Sequence, residues 1–188
     1  KEFWGKFTNI FAVRWRGIDP EWILNKIYPF TGWFFHRAMV LLISMMAVAA
    51  VLLGIVQFDV FRSRLPTFHQ FFGAHNWLYL GVTMALVKVL HEFGHGLSCK
   101  RFGGECHEMG FMLLVFTPAL YCNVSDSWML PNKWHRVAIG AAGMYVEMFI
   151  ASICTFVWWF SEPGMVNQIS LRLMFICSVS TLLFNGNP

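Results

Sequence analysis

Charge is what this sequence is short of. Asp, Glu, Lys and Arg make up 13% of its 188 residues, where a soluble domain carries about one-quarter. A chain this short cannot hide a large apolar core behind so little polar surface, so a fully aqueous globule is excluded and part of the exterior must face lipid. Cysteine pairs of the CxxC kind are missing as well. Cys99, Cys106, Cys122, Cys154 and Cys177 are odd in number and widely spaced, which indicates neither a disulfide framework nor a cysteine zinc site and reads as buried small apolar residues. There is no internal repeat and no low-complexity linker, and the first 35 residues lack the continuous apolar core that a cleavable signal peptide needs. The net charge of +4 is scattered over loops, a pattern of membrane orientation; nucleic acid is not an expected partner.

What is present is apolar and aromatic. Hydrophobic residues reach 57%, with 20 Phe and 9 Trp, and the mean hydropathy is +0.54. Trp33, Trp77, Trp134, Trp158 and Trp159 flank apolar runs, as expected of an aromatic belt at the headgroups. The expected fold is an all-α membrane protein with about four transmembrane helices. The first span, Ala38 to Phe58, has no charge, and a polar turn with Asp59, Arg62, Arg64 and Pro66 follows. The second runs from Trp77 through Leu97, the third from Val137 to Phe160, and the fourth from Met165 to Phe184. Between the second and third, the apolar stretch Met109 to Cys122, with Pro118 inside, is too short to cross and predicts a membrane-dipping hairpin. Residues 1–36 form an N-terminal interfacial segment in which aromatics alternate with basic residues, and 37–188 form the membrane-embedded core. A short helix is expected after Asp19, which would cap it with Pro20 in its first turn and with Trp22, Ile23 and Ile27 on one side. Basic residues in the N-terminal segment and at Lys100, Arg101, Lys133 and Arg136 place the N-terminus and the 100–136 loop in the cytoplasm. The expected location is a multi-pass protein of the bacterial inner membrane.

The second span contains His91-Glu92-Phe93-Gly94-His95. Histidines four apart project from one helix face and can present two imidazoles to one metal, while the adjacent Glu is placed to take a proton from metal-bound water. Composition alone would produce such a motif with odds of roughly one in a hundred, and ionisable groups at membrane depth are costly enough to mark a functional site. The expected cofactor is one Zn2+ per chain, with His91 and His95 as ligands and Glu92 as general base. Gly94 and Gly96 permit close approach of another element. Lys88 is open between pairing with Glu92 one turn away and snorkelling, and His107 beside Glu108 and the loop acid Asp126 are further polar candidates. His36, His69, His75 and His135 flank the spans as interfacial residues.

These residues carry a resemblance. HEFGHGLSCKRFGG (91–104), FTPALYCNVSD (116–126), AIGAAGMYVEMF (138–149) and FNGNP (184–188) occur in an order that resembles the site-2 protease family of intramembrane metallopeptidases. The resemblance covers residues 77 to 188 and implies a metalloendopeptidase acting on peptide or membrane-protein substrates at the bilayer. It also implies Asn185 as a polar residue near the catalytic centre. The family's third ligand, an Asp, would fall five residues beyond Pro188, so the chain is expected to be a fragment. Met144 and Glu147 replace the Pro and Asn of the family's Gly-Pro-x-x-Asn pattern, and no PDZ-like insertion is visible. The alternative function is a non-catalytic membrane scaffold or export-associated subunit with a degenerate zinc site. Oligomeric state is not readable.

Two lone charges remain in the later spans. Counted inward at about 1.5 Å per residue, Glu147 lies about 15 Å and Arg172 about 18 Å deep. Matched depths on antiparallel helices predict an ion pair between them, against the alternative that Arg172 snorkels outward.

Overall fold

The computed structural model describes residues 12–67, 71–73, 76–114 and 117–183. Asn185, His69 and His75 lie outside them. The elements in chain order are β1 (Ala12–Ile18), α1 (Glu21–Thr31), a 3-10 turn (Gly32–Phe35), α2 (Arg37–Val56), α3 (Phe58–Arg64), α4 (Trp77–Arg101), β2 (Met109–Leu114), β3 (Thr117–Cys122), a second 3-10 turn (Ser125–Met129), α5 (Lys133–Phe160) and α6 (Met165–Leu183). The protein is mostly helical, and the four expected spans correspond to α2, α4, α5 and α6 within a few residues. By length and composition, two of these, α2 and α5, are long and apolar enough to cross a membrane. The segment after α2 is a short helix and not the expected turn.

The all-α expectation is corrected by a three-stranded antiparallel sheet of order β1-β2-β3. The apolar stretch that was expected to dip as a hairpin is the β2–β3 hairpin, with Met109 opposite Cys122 and Leu114 opposite Thr117. β1, from the N-terminal segment, adds to it with Ala12 opposite Leu114. Six-residue strands are too short to cross a bilayer, and pairing within a sheet satisfies backbone N–H and C=O groups that an apolar setting would leave stranded. A bulge between Trp15 and Ile18 interrupts the β1 register. Gly17 and Gly110 meet there: a β-carbon on Gly17 would overlap the Met109 carbonyl, and one on Gly110 would fall 2.7 Å from the Trp15 carbonyl oxygen. Only glycine permits that crossing.

The chain divides into two compact units, Lys1–Phe35 with His91–Gly143, and His36–Leu90 with Met144–Pro188. In the first, α1 is started as expected by Asp19, whose Oδ1 accepts the Glu21 backbone N–H at 2.9 Å, although Pro20 is the residue at the cap position. The inward residue of α1 is Leu24, fully buried, while Trp22 of the expected apolar side is 66% exposed. Leu24 packs where Gly96 leaves room, its Cδ1 3.0 Å from where a β-carbon on Gly96 would stand. Glu21 pairs with Lys100 and accepts the Cys106 backbone N–H at 3.2 Å. Burial alone would raise the Glu21 pKa, but the Lys100 and Cys106 contacts outweigh it and hold the carboxyl below its ordinary value.

In the second unit, Val87, Ile176 and Cys177 form a buried cluster flanked by Leu80, Ile150, Ala151 and Leu173, so that α4, α5 and α6 share one core. Trp158, expected in the aromatic belt, is instead 1% exposed and packs edge-on against Phe61 at 5.0 Å. On α2 only Ile43 and Ala50 are buried, and Leu41, Met45, Val48, Val51, Leu52 and Ile55 are exposed. So wide an apolar face is what a lipid-contacting helix presents.

The expected Glu147–Arg172 pair does not form. Glu147 is fully buried and meets Lys88 Nζ at 3.1 Å, and it accepts hydrogen bonds from Ser180 Oγ at 2.9 Å and Thr181 Oγ1 at 2.7 Å. Arg172 donates to Asn76 Oδ1 at 2.8 Å and lies over the Tyr79 ring. Counting inward from helix ends assumed that α5 and α6 begin at one level. The residues of α6 level with Glu147 are Ser180 and Thr181, eight and nine positions beyond Arg172, or about 12 Å along the axis.

Candidate metal centre

The site is built from the second half of α4, the first half of α5 and the β2–β3 hairpin. His91 and His95 stand one helical turn apart, and their Nε2 atoms approach to 3.1 Å. The rings lie at 69° with centroids 4.9 Å apart, so the nitrogens converge and the rings do not stack. His95 Nδ1 lies 2.7 Å from the Ile139 carbonyl oxygen. A carbonyl only accepts, so Nδ1 carries the proton and a neutral ring leaves Nε2 with its lone pair directed at His91. That outer hydrogen bond is the usual device for fixing tautomer and orientation of a ligating imidazole.

His91 is 7% exposed and sits directly against Gly143 of α5, where any β-carbon would overlap the ring. Sequence reasoning did not single out Gly143. Its signal is faint, because a glycine in an apolar helix usually reflects plain packing.

The donor set is consistent with zinc as far as it extends. Zinc–nitrogen bonds of about 2.0–2.1 Å at tetrahedral angles separate two ligand nitrogens by about 3.3 Å, close to the 3.1 Å found. No group of three or more His, Cys, Asp or Glu able to hold a metal occurs among the described residues. The described residues bring two imidazoles together and no third donor with them.

Glu92 is half-buried beside this pair and close enough to Cys122 for its charge to act on the thiol. Cys122 is pushed above the ordinary thiol range first by its hydrogen bond with Cys106, then by burial and by nearby negative groups including Glu92. The other sequence candidates fall outside the centre. His107 has Asp19 at 3.3 Å and Glu105 at 2.9 Å as partners, and these carboxylates raise its pKa. Glu108, its neighbour in sequence, instead accepts the Tyr121 hydroxyl at 2.6 Å. Asp126 accepts the Glu105 backbone N–H at 3.4 Å and supports the loop. His36 caps α2 through the Ala38 N–H, and His135 stacks on Phe102 at 4.2 Å. Lys88, left open from sequence, faces Glu147.

Comparison with known proteins connects this chain to one curated relative. It is 26% identical over 119 residues to a Bacillus subtilis (strain 168) protein named "Putative peptide zinc metalloprotease protein YydH". The aligned region is 63% of this chain and 45% of the relative, so the chain spans less than half of that protein's length. No protein-family model matches. No solved structure matches either.

Proposed function

We propose that this chain is the core of a membrane-embedded zinc metalloendopeptidase of the site-2 protease type, hydrolysing peptide bonds of membrane-associated substrates. The observation that carries the reading is the convergence of His91 and His95 Nε2 at 3.1 Å, with His95 oriented from behind by Ile139. Similarity to a protein named as a zinc metalloprotease supports the same chemistry. In this reading His91 and His95 would hold the metal, and Glu92 would take and return the proton of the attacking water. Bound zinc would acidify its water and polarise the scissile carbonyl. Gly143 keeps space for the His91 ring, and the Ile139 carbonyl holds the His95 proton on Nδ1.

The test is zinc quantification on the natural full-length protein. Wild type should hold one zinc per chain, His91→Ala and His95→Ala should lose it, and Gly143→Ala should lose it too by displacing the His91 ring. Stoichiometric zinc in both histidine variants removes the ligand assignment. A wild type without zinc leaves the scaffold reading in its place.

The same proposal sets α2, α4, α5 and α6 as four spans in a bacterial inner membrane, with the β2–β3 hairpin dipping and the N-terminus cytoplasmic. Introduced cysteines in the 100–136 segment should then react with an impermeant maleimide from the cytoplasmic side, and those between Asp59 and Asn76 from the opposite side. The reverse pattern inverts the orientation.

A further inference from the structure

Three cysteines of the first unit, Cys99, Cys106 and Cys122, lie where the metal centre does not use them. Two are in contact: the Sγ atoms of Cys106 and Cys122 are 3.0 Å apart, both thiols free. The contact is held from both sides. Cys106 is fixed through its backbone N–H, which donates to Glu21 Oε2 at 3.2 Å, while that carboxylate is itself paired with Lys100. Cys122 is the last residue of β3 and is set by its register opposite Met109. The two sulfurs therefore meet because a helix-anchored loop and a sheet bring them together, and closing to the covalent distance of about 2.05 Å requires about 1 Å of movement. Cys106 is fully buried and Cys122 is partly exposed, the arrangement of a reachable thiol beside a resolving one.

We propose that Cys106 and Cys122 are a reversible dithiol–disulfide site, oxidised by small-molecule disulfides. The small fraction of Cys122 that is deprotonated attacks one sulfur of the incoming disulfide, the S–S bond breaks, and the first small thiol leaves with the Cys122 proton. Cys106 then attacks the Cys122 sulfur of the mixed disulfide, and the second small thiol leaves with the Cys106 proton. Two protein thiols are oxidised and one small disulfide is reduced to two thiols. The closed bond ties the loop after α4 to the end of β3, at a sulfur beside Gly96 and within reach of the Glu92 charge. The site stands on the geometry alone and does not depend on the protein being a protease.

The experiment equilibrates the full chain in mild detergent with glutathione disulfide, alkylates free thiols, reduces, and alkylates again with a second reagent before trypsin digestion. Peptide 102–133 contains Cys106 and Cys122 and no other cysteine. The expected result is the second label on both of its cysteines and the first label on Cys99, with full reversal by dithiothreitol. Without the reducing step, the same peptide should be lighter than its dithiol form by two hydrogens. Cys106→Ser should stop at a glutathione adduct on Cys122, and Cys122→Ser should leave Cys106 unreacted. First label on both cysteines of the oxidised wild type overturns the proposal. So does an adduct on Cys122 that never closes, and so does a disulfide through Cys99. The wild-type measurement decides even if a serine variant fails to fold.

Discussion

Glu92→Gln should reduce peptide cleavage by about 10^2–10^4-fold while zinc content stays at the wild-type level. The glutamine keeps size and hydrogen-bonding capacity but has no basic oxygen at neutral pH, so only the proton transfer is lost. This split separates Glu92 from the histidines: His91→Ala and His95→Ala should lose metal and activity together, whereas Glu92→Gln should lose activity alone. The measurement is turnover of a quenched fluorescent peptide library by the natural full-length protein in detergent, beside zinc analysis of the same sample. Near-normal turnover by Glu92→Gln would falsify the assigned role. Loss of zinc along with activity would recast Glu92 as part of the metal's own surroundings.

The second large effect is expected far from any chemistry. Glu147 is fully buried, and its carboxylate is satisfied by one ammonium and two hydroxyls drawn from α4 and α6. Deleting one partner of such a pair strands the other charge at a cost of about 3–5 kcal/mol, whereas replacing both with apolar residues is often neutral. Lys88→Met and Glu147→Ala should therefore each lower unfolding stability by about that amount, and Lys88→Met with Glu147→Leu should recover most of the loss. Denaturant unfolding in mild detergent, followed by tryptophan fluorescence, reads all three. Additive losses in the double variant would show that the two charges are not coupled. Because Lys88 side-chain exposure is 20%, the effect of losing Glu147 should be the milder of the two on the charge left behind, since Lys88 can recruit water. Arg172, engaged with Asn76 and Tyr79, should tolerate Met with a loss of about 1–3 kcal/mol, the scale of a hydrogen bond to a charged group.

The sequence made the helices and the convergence of His91 and His95 legible because both depend on local spacing. Apolar runs of helical length, uncharged after Arg37 in α2 and broken after Arg136 only by Glu147 in α5, mark these two helices, and the four-residue spacing of His91 and His95 alone sets two imidazoles on one face. The sheet was missed although its signal was present. Residues 12–18, AVRWRGI, alternate Val13 and Trp15 with Arg14 and Arg16 at the two-residue period of a strand. Within a basic aromatic segment, the same alternation also fits an interfacial stretch, so the sequence alone does not separate the two. Partner choice for Glu147 was not readable, because it depends on helix rotation and axial offset that length counting does not supply. Gly143 and the Cys106–Cys122 contact were invisible for a related reason. Each depends on what stands opposite across a distance in sequence, His91 in one case and a strand end in the other.

The crossing of Gly17 and Gly110 has a consequence for how this protein can be shortened. β1 pairs along most of one side of β2, and the first helix fills the space over Gly96 with Leu24. A version beginning at Arg37 would keep every helix of the apolar core yet turn β2 into an open template, with its amide and carbonyl rows available to any extended chain nearby. Gly110 would then lose the Trp15 carbonyl and the Gly17 backbone it sits against, and the bulge that exempts this edge from regular pairing would vanish with its strand. The N-terminal residues thus cover the outer edge of the hairpin, and trimming them trades a capped sheet for an adhesive one.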